Sequence, residues 1–203
     1  MAHQAQLVTR TLISLGWTLL WLAACEPYRQ PHKAVAEIPG IFVNQGMEIL
    51  QTKEGKLYYN NQPFSGWRYE LYANRDTALL VPFFQGKEQG LARQWYSNGQ
   101  LREERYYEQG EKTGEHRGWW ENGKQRFLYH FQHDAFEGTQ QEWNEAGLLY
   151  RSTNYKAGKE NGLQQMWRND GSVVANYVVR NGRNYGLTGV KNCKSVWEDE
   201  EKN

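Results

Sequence analysis

A chain of 203 residues is long enough for one compact domain, but only 39% of it is hydrophobic and 14% aromatic, and mean hydropathy is -0.89. That excludes a thick two-layer core built from aliphatic side chains. Formal net charge is +1; the first 25 residues hold a single charged side chain, Arg10, and removing it from the 24 basic groups leaves 23 against 23 acidic ones. With no basic excess to neutralise phosphates, nucleic acid is excluded as an expected partner.

Residues 1–25 read as a targeting segment. A polar start with Arg10 precedes thirteen mostly apolar residues, Thr11 to Ala23, which as a helix would span about 20 Å against a hydrocarbon core of about 30 Å. A signal peptide fits that length better than a membrane span. The tetrad Leu22-Ala23-Ala24-Cys25 resembles the lipobox of bacterial lipoprotein precursors, in which the Cys is acylated and becomes the new N-terminus. The resemblance implies lipidation at Cys25 and a lipid anchor to a membrane of the bacterial cell envelope; the alternative is ordinary secretion with a free Cys. Residues 26–40, with Pro27, Pro31 and Pro39, read as an extended tether.

From Gly66 onward the chain repeats every 24 residues without insertion or deletion: Gly66, Gly90, Gly114, Gly138, Gly162 and Gly186 open successive units. Counting each opening Gly as place 1, place 6 holds Leu71, Trp95, Trp119, Trp143 and Trp167. Place 10 holds Arg75, Gly99, Gly123, Gly147 and Gly171, and place 18 holds Phe83, Tyr107, Phe131, Tyr155 and Val179. A fixed period of this size means units that bury apolar surface only by stacking on one another. Residues 41–65 form a shortened unit and are read as a cap, so the repeat domain spans 41–189. The remaining residues, 190–203, contain the run Glu198-Asp199-Glu200-Glu201 and read as a disordered acidic tail.

Each unit reads as a β-hairpin whose turn ends on the place-10 Gly, as in Ser97-Asn98-Gly99 and Glu145-Ala146-Gly147. A two-residue type I′ turn needs positive φ at the residue before Gly, which Ala146 does not readily adopt, whereas a three-residue loop closed by a Gly bulge needs it only at the Gly. The bulged loop is therefore expected. It also predicts that the even places share one face, setting Trp95 beside Leu101 and Tyr107, and Trp167 beside Val173, Tyr177 and Val179. The expected fold is all-β: an elongated, twisted single-layer antiparallel sheet of tandem 24-residue hairpins.

The stretches Gly90–Leu101 (GLARQWYSNGQL) and Gly118–Lys124 (GWWENGK) resemble the bacterial variant of the MORN repeat and are similar to the YwqK-type family, whose members are commonly labelled antitoxins of toxin–antitoxin systems. The resemblance covers 41–189, and it departs from the family pattern at Leu71 and Arg75. It implies a scaffold or protein-binding module, or an antitoxin that neutralises a toxin partner.

Little in the chain points to chemistry. No phosphate loop, CxxC pair, HExxH or GxSxG occurs, so no enzyme, no cofactor and no metal are expected. His130 and His133 fall at the end of a strand and in a turn slot, where Asp134 replaces the usual Gly, and Asp tolerates that backbone without any metal. Glu103, Glu104, Glu108, Glu111 and Glu115 interleave with Arg102, Arg105, Lys112 and Arg117 as on a solvated face. Cys193 reads as a free thiol, with an intermolecular disulfide as the lesser alternative. The expected partner is a protein, and the candidate binding or stacking residues are Trp95, Trp119, Trp143, Trp167, Tyr107, Phe131 and Tyr155.

Overall fold

The computed structural model describes residues 37–47 and 49–189; residues 1–25, read above as a targeting segment with Cys25, most of 26–40, and residues 190–203 with Cys193 lie outside them. The described residues form strands only. The units from Gly66 to Gly138 each make a six-residue strand, a loop and an eight-residue strand, as in Gly90–Trp95 with Leu101–Glu108 and Gly114–Trp119 with Gln125–Gln132; in the next unit the first strand is the nine-residue Lys159–Trp167. Substantial strand contacts fall only between ladder neighbours. The sheet runs from Phe42–Asn44 to Arg183–Leu187 without closing into a barrel. Almost all of it is antiparallel; the exception is the first strand, which pairs in parallel with Gly66–Leu71.

The hairpin loops are the bulged kind. Gly99, Gly123, Gly147 and Gly171 all have φ between +80° and +85°, while the residues before them do not enter the positive region. Arg75, standing where the other units have Gly, adopts φ +71°. Type I′ turns exist as well, at places 20 and 21: Gln85-Gly86, Gln109-Gly110, His133-Asp134, Ala157-Gly158 and Asn181-Gly182 have positive φ at both residues. Asp134 is held there by more than tolerance, because its Oδ1 accepts the Lys112 N–H at 2.8 Å. Each of these turns reverses the long strand into a short return segment, such as Glu111–Lys112, before the next unit begins.

The expected face assignment is half right. Trp95 pairs with Leu101 and Trp167 with Val173, but the register then shifts by one residue, so that Gln94 pairs with Glu103 and Met166 with Ala175. A second bulge, at place 13, is the cause; it is occupied by Ala78, Arg102, Arg126, Tyr150 and Val174. Residues opposite each other in an antiparallel ladder share a face, and beyond the bulge Tyr107 faces Gly90 while Arg93 faces Glu104. The Trp column therefore lies on one face, here the Trp face, and Tyr107, Phe131, Tyr155, Tyr177 and Val179 lie on the other, the core face. An apolar pattern read across a loop cannot reveal a bulge that lies beyond it.

The cap also differs from a shortened copy of the repeat. Leu50–Lys53, Lys56–Tyr59 and Gln62–Pro63 form a separate three-stranded sheet. Its Leu57, together with Phe64, is buried against Val43, Val81, Phe83 and Ala92, with Leu50, Tyr59, Leu79 and Tyr107 at the margin. Each large side chain removed from water here contributes about 1.5 to 3 kcal/mol, and the cluster gathers six of the buried apolar residues among those described. It closes the core face at the N-terminal end.

Successive units share only two ladder pairs at each of the next three junctions, for example Leu79↔Gln94 with Leu80↔Arg93 and Phe127↔Glu142 with Leu128↔Gln141. Side chains supply the missing bonds. Gln140 Oε1 accepts the His130 N–H at 2.8 Å, and its amide nitrogen donates back to the His130 carbonyl at 3.2 Å. Gln164 does the same for Asn154. At Pro82, which has no N–H to satisfy, the corresponding residue is Ala92, and the Pro82 carbonyl is satisfied by Gln89 N–H. A further stitch runs along place 7: Tyr72 and Tyr96 hydroxyls and the Trp120 indole N–H donate to the carbonyls of Trp95, Trp119 and Trp143.

Candidate binding trough

Beyond the cap the core face lies open, and it carries a trough of about 430 Å³ over the units that begin at Gly114 and Gly138. Places 14, 16 and 18 of the first of these units supply Phe127, Tyr129 and Phe131, which point the same way because side chains alternate along a strand. Phe127 and Tyr129 stack with ring centroids 4.5 Å apart, and Phe131 lies 4.7 Å from Phe136, which belongs to the return segment Ala135–Phe136. Phe136 lies 5.2 Å from Tyr155 in turn, while His116 bridges Tyr107 and Phe131 at 5.7 and 4.6 Å. Trp120 and Tyr150 are further lining residues.

Charge enters from the bulges and from neighbouring strands. Glu103 is 6% exposed, which corrects the reading of that carboxylate as part of a solvated face. It binds two guanidinium groups, Arg105 at 2.6 Å and Arg126 at 2.7 Å. Arg126 stands at the place-13 bulge, so its side chain turns onto the core face, where the guanidinium lies 5.5 Å from the Trp120 ring and 5.1 Å from the Phe127 ring. Lys112 Nζ is 5.5 Å from the Phe131 ring. Such cation–ring contacts contribute about 0.5 to 2 kcal/mol, most where water is excluded. Glu142 accepts a hydrogen bond from the Tyr150 hydroxyl. Arg151 meets Glu142 in turn at 3.4 Å, and Glu88 lies within the field of Arg105 and Lys112, so four cations face three carboxylates.

Burial sets the protonation states. His116 is 2% exposed; desolvation holds its imidazole below the ordinary range, with Arg105 and Lys112 adding to the effect against an opposing hydrogen bond to Tyr106. The ring is thus neutral at pH 7, and Nε2–H donates to the Tyr106 carbonyl at 2.8 Å. Burial raises the Tyr150 phenol to about 12, with Glu142 adding to the shift, and raises Tyr129 for the same reasons. Both phenols remain donors. The trough can hold a flat or apolar group between rings and pair an anion with its basic wall.

The predicted residues divide between the two faces. Phe131 lines the trough, while Tyr107 and Tyr155 touch it through His116 and Phe136. On the Trp face, Trp95 lines a broader apolar hollow of about 670 Å³ with Phe42, Tyr69, Leu71 and Leu80. Trp119, Trp143 and Trp167 are half-buried. The two histidines before Asp134 go separate ways: His130 Nδ1 meets the Thr139 carbonyl, and His133 Nδ1 meets Glu111 at 2.8 Å. Among the described residues no group of three or more His, Cys, Asp or Glu side chains is placed to hold a metal. Trp120, Phe127, Tyr129, Phe136 and Arg126 were missed. Their signal was an aromatic following the Trp column, and an aromatic at a return-segment place that holds Glu88 and Lys112 in the two preceding units. Comparison of the chain with protein-family models and with curated proteins found no match.

Proposed function

We propose that this chain is a non-catalytic, lipid-anchored binding module of the bacterial cell envelope, whose repeat sheet takes a segment of a protein partner into the core-face trough. The observation that carries this reading is the trough itself, where Trp120, Tyr129, Tyr150, Arg105 and Arg126 converge on one concavity. Trp, Tyr and Arg are the side chains that dominate binding hot spots. Cys25 is the acylated residue, since two or more chains on one residue hold a protein stably on a bilayer. Neutralisation of a toxin is the same act with a particular partner, and the MORN-like stretches 90–101 and 118–124 motivate it.

The test is a photo-reactive residue in place of Tyr129 in the full chain, activated in the native envelope, with the same residue in place of Trp143 on the other face as control. A discrete cross-linked protein is expected from position 129 alone, and Trp120→Ala should abolish it. Equal products from both positions would refute the trough as the binding site. For the anchor, Cys25→Ser should release the folded protein from washed membranes; persistent sedimentation would refute lipidation at that residue.

A further inference from the structure

The two ends of the sheet are finished differently. At the N-terminal end Phe42–Asn44 lies along Gly66–Leu71, and its Val43 is buried with Leu57 and Phe64 of the cap. At the C-terminal end Arg183–Leu187 pairs with Val173–Arg180 on one side and, among the described residues, with no strand on the other. All five of its residues are exposed. Natural edge strands are commonly guarded by Lys, Pro or a bulge that turns them away; this one holds neither Lys nor Pro, and its ladder to Val173–Arg180 runs without a register shift.

The turn before the strand fixes which backbone groups face outward. Asn181-Gly182 is a two-residue turn with positive φ at both residues, so the flanking Arg180 and Arg183 form a hydrogen-bonded pair, and bonded pairs then alternate along the ladder. Tyr185 and Leu187 therefore bond to their partners Val178 and Asn176. The N–H and C=O of Asn184 and Gly186, and the Thr188 N–H, point away from the sheet. On the Trp face, Leu163, Val178 and Tyr185 stand opposite one another across three strands. That row ends at the edge, where Tyr185 is 56% and Leu187 54% exposed.

One antiparallel register with a second copy satisfies backbone and side chains together. With Gly186 on a two-fold axis, Gly186 exchanges hydrogen bonds with its own counterpart, Asn184 stands opposite Thr188 of the second copy, and Tyr185 stands opposite Leu187 of the second copy. Arg183 then meets a glycine, Gly189. The neighbouring register, with Gly186 opposite Asn184, would instead set Arg183 against Leu187. We infer that two copies of this chain join edge to edge through residues 183–189, in an isologous pairing that continues the sheet. Residues opposite each other share a face, so the core faces of both copies run on one side and the pair offers two troughs together, the arrangement that raises avidity. No trough residue takes part in the junction, so this inference and the partner reading fail separately.

The test mixes two full-chain variants, Tyr185→Cys and Leu187→Cys, each also carrying Cys193→Ser, under mild oxidation. Across the junction positions 185 and 187 lie about 4.5 Å apart at Cα, within disulfide reach, whereas two copies of one position lie about 7 to 8 Å apart. A disulfide between positions 185 and 187 is therefore expected in the mixture, with neither variant linking to itself at these positions. Asn184→Pro removes an outward donor that the chain's own ladder does not use and should abolish that link; Leu187→Lys, which keeps every backbone group, should turn the dimer seen by sedimentation into monomer while the melting profile stays cooperative. No link in the mixture, equal linking by single variants, a link that survives Asn184→Pro, a chain that sediments as monomer at its highest soluble concentration, or species larger than dimers would each overturn the inference.

Discussion

The pairing of Gln140 with His130 gives the sharpest test of how the units are joined. Gln140 is 3% exposed, and in Gln140→Ala the His130 N–H, which bonds Gln140 Oε1, loses its acceptor. The His130 carbonyl keeps the Glu137 N–H at 2.9 Å, so one orphaned donor is the main loss. Leaving a buried group unsatisfied costs about 1 to 3 kcal/mol, and lost packing brings the expected total to about 2 to 4 kcal/mol. The Pro82–Ala92 junction then supplies the rescue. His130→Pro removes the orphaned donor, and its missing N–H is one that the ladder does not use. Alone, His130→Pro should destabilise, because its ring meets the Gln140 amide and the exposed His130 contacts to Glu115 and Thr139 are lost. The double variant should be less destabilised than the two single costs combined, by at least about 1 kcal/mol. Urea melts of the four proteins measure this, with amide exchange at residues 128–142 as a local probe. Strict additivity would mean that the Gln side chain does not act as a substitute for ladder bonds.

Three further outcomes follow from particular residues. His116 is held neutral below the pKa of about 6.5 that it has when unfolded, so the unfolded chain binds the extra proton. Its contribution to stability is complete above that pH and is lost as pH falls through it; His116→Gln, which installs the residue found at this place in the next two units, should flatten the slope between pH 7 and 5, and an unchanged slope in thermal melts would refute the assignment. Ala157 adopts φ +48°, a region that costs a non-Gly residue about 1 to 2 kcal/mol, so Ala157→Gly should raise the midpoint of urea unfolding, and a lower midpoint would show that the turn is not strained. Trp167→Ala should speed amide exchange mainly beyond Gly162, as stacking on one neighbour implies; an even rise along the whole chain would mean a single cooperative core.

Much of the fold could be read because its determinants are local. The 24-residue period, the positive φ at place 10 and even the Asp at 134 are single-residue signals, and each appears in the structure as the turn chemistry requires. Arg102 and Arg126 show where that kind of reading stops. Nothing in their sequence neighbours says that the strand bulges there, and the bulge alone moves the place-18 aromatics to the face opposite the Trp column. Glu103 looked like one member of an alternating charged row; only the convergence of Arg105 and Arg126 from two strands makes it a buried anion. The trough lies at the meeting of both effects, which explains why Phe131 was found and Tyr129 was not. The Gln140 and Gln164 amides were invisible for a third reason: a side chain that replaces a backbone bond carries no signature in hydropathy.

The bonds that stitch the units together also constrain how such a chain can change length. Ser65 accepts the Gln85 N–H, Gln89 that of Gln109, and Glu137 that of Ala157, each 20 residues further on. The place-7 bonds span 23 residues. Insertion of a few residues within a strand would misalign the donors and acceptors that join that unit to its neighbours, whereas insertion of a whole unit would carry its own complement to both. Within the strands, growth and shortening are therefore expected in whole steps of 24 residues. Each step adds two strands, about 10 Å of sheet, so descendants of one such gene should differ in reach by multiples of that length, with cap and closing strand retained.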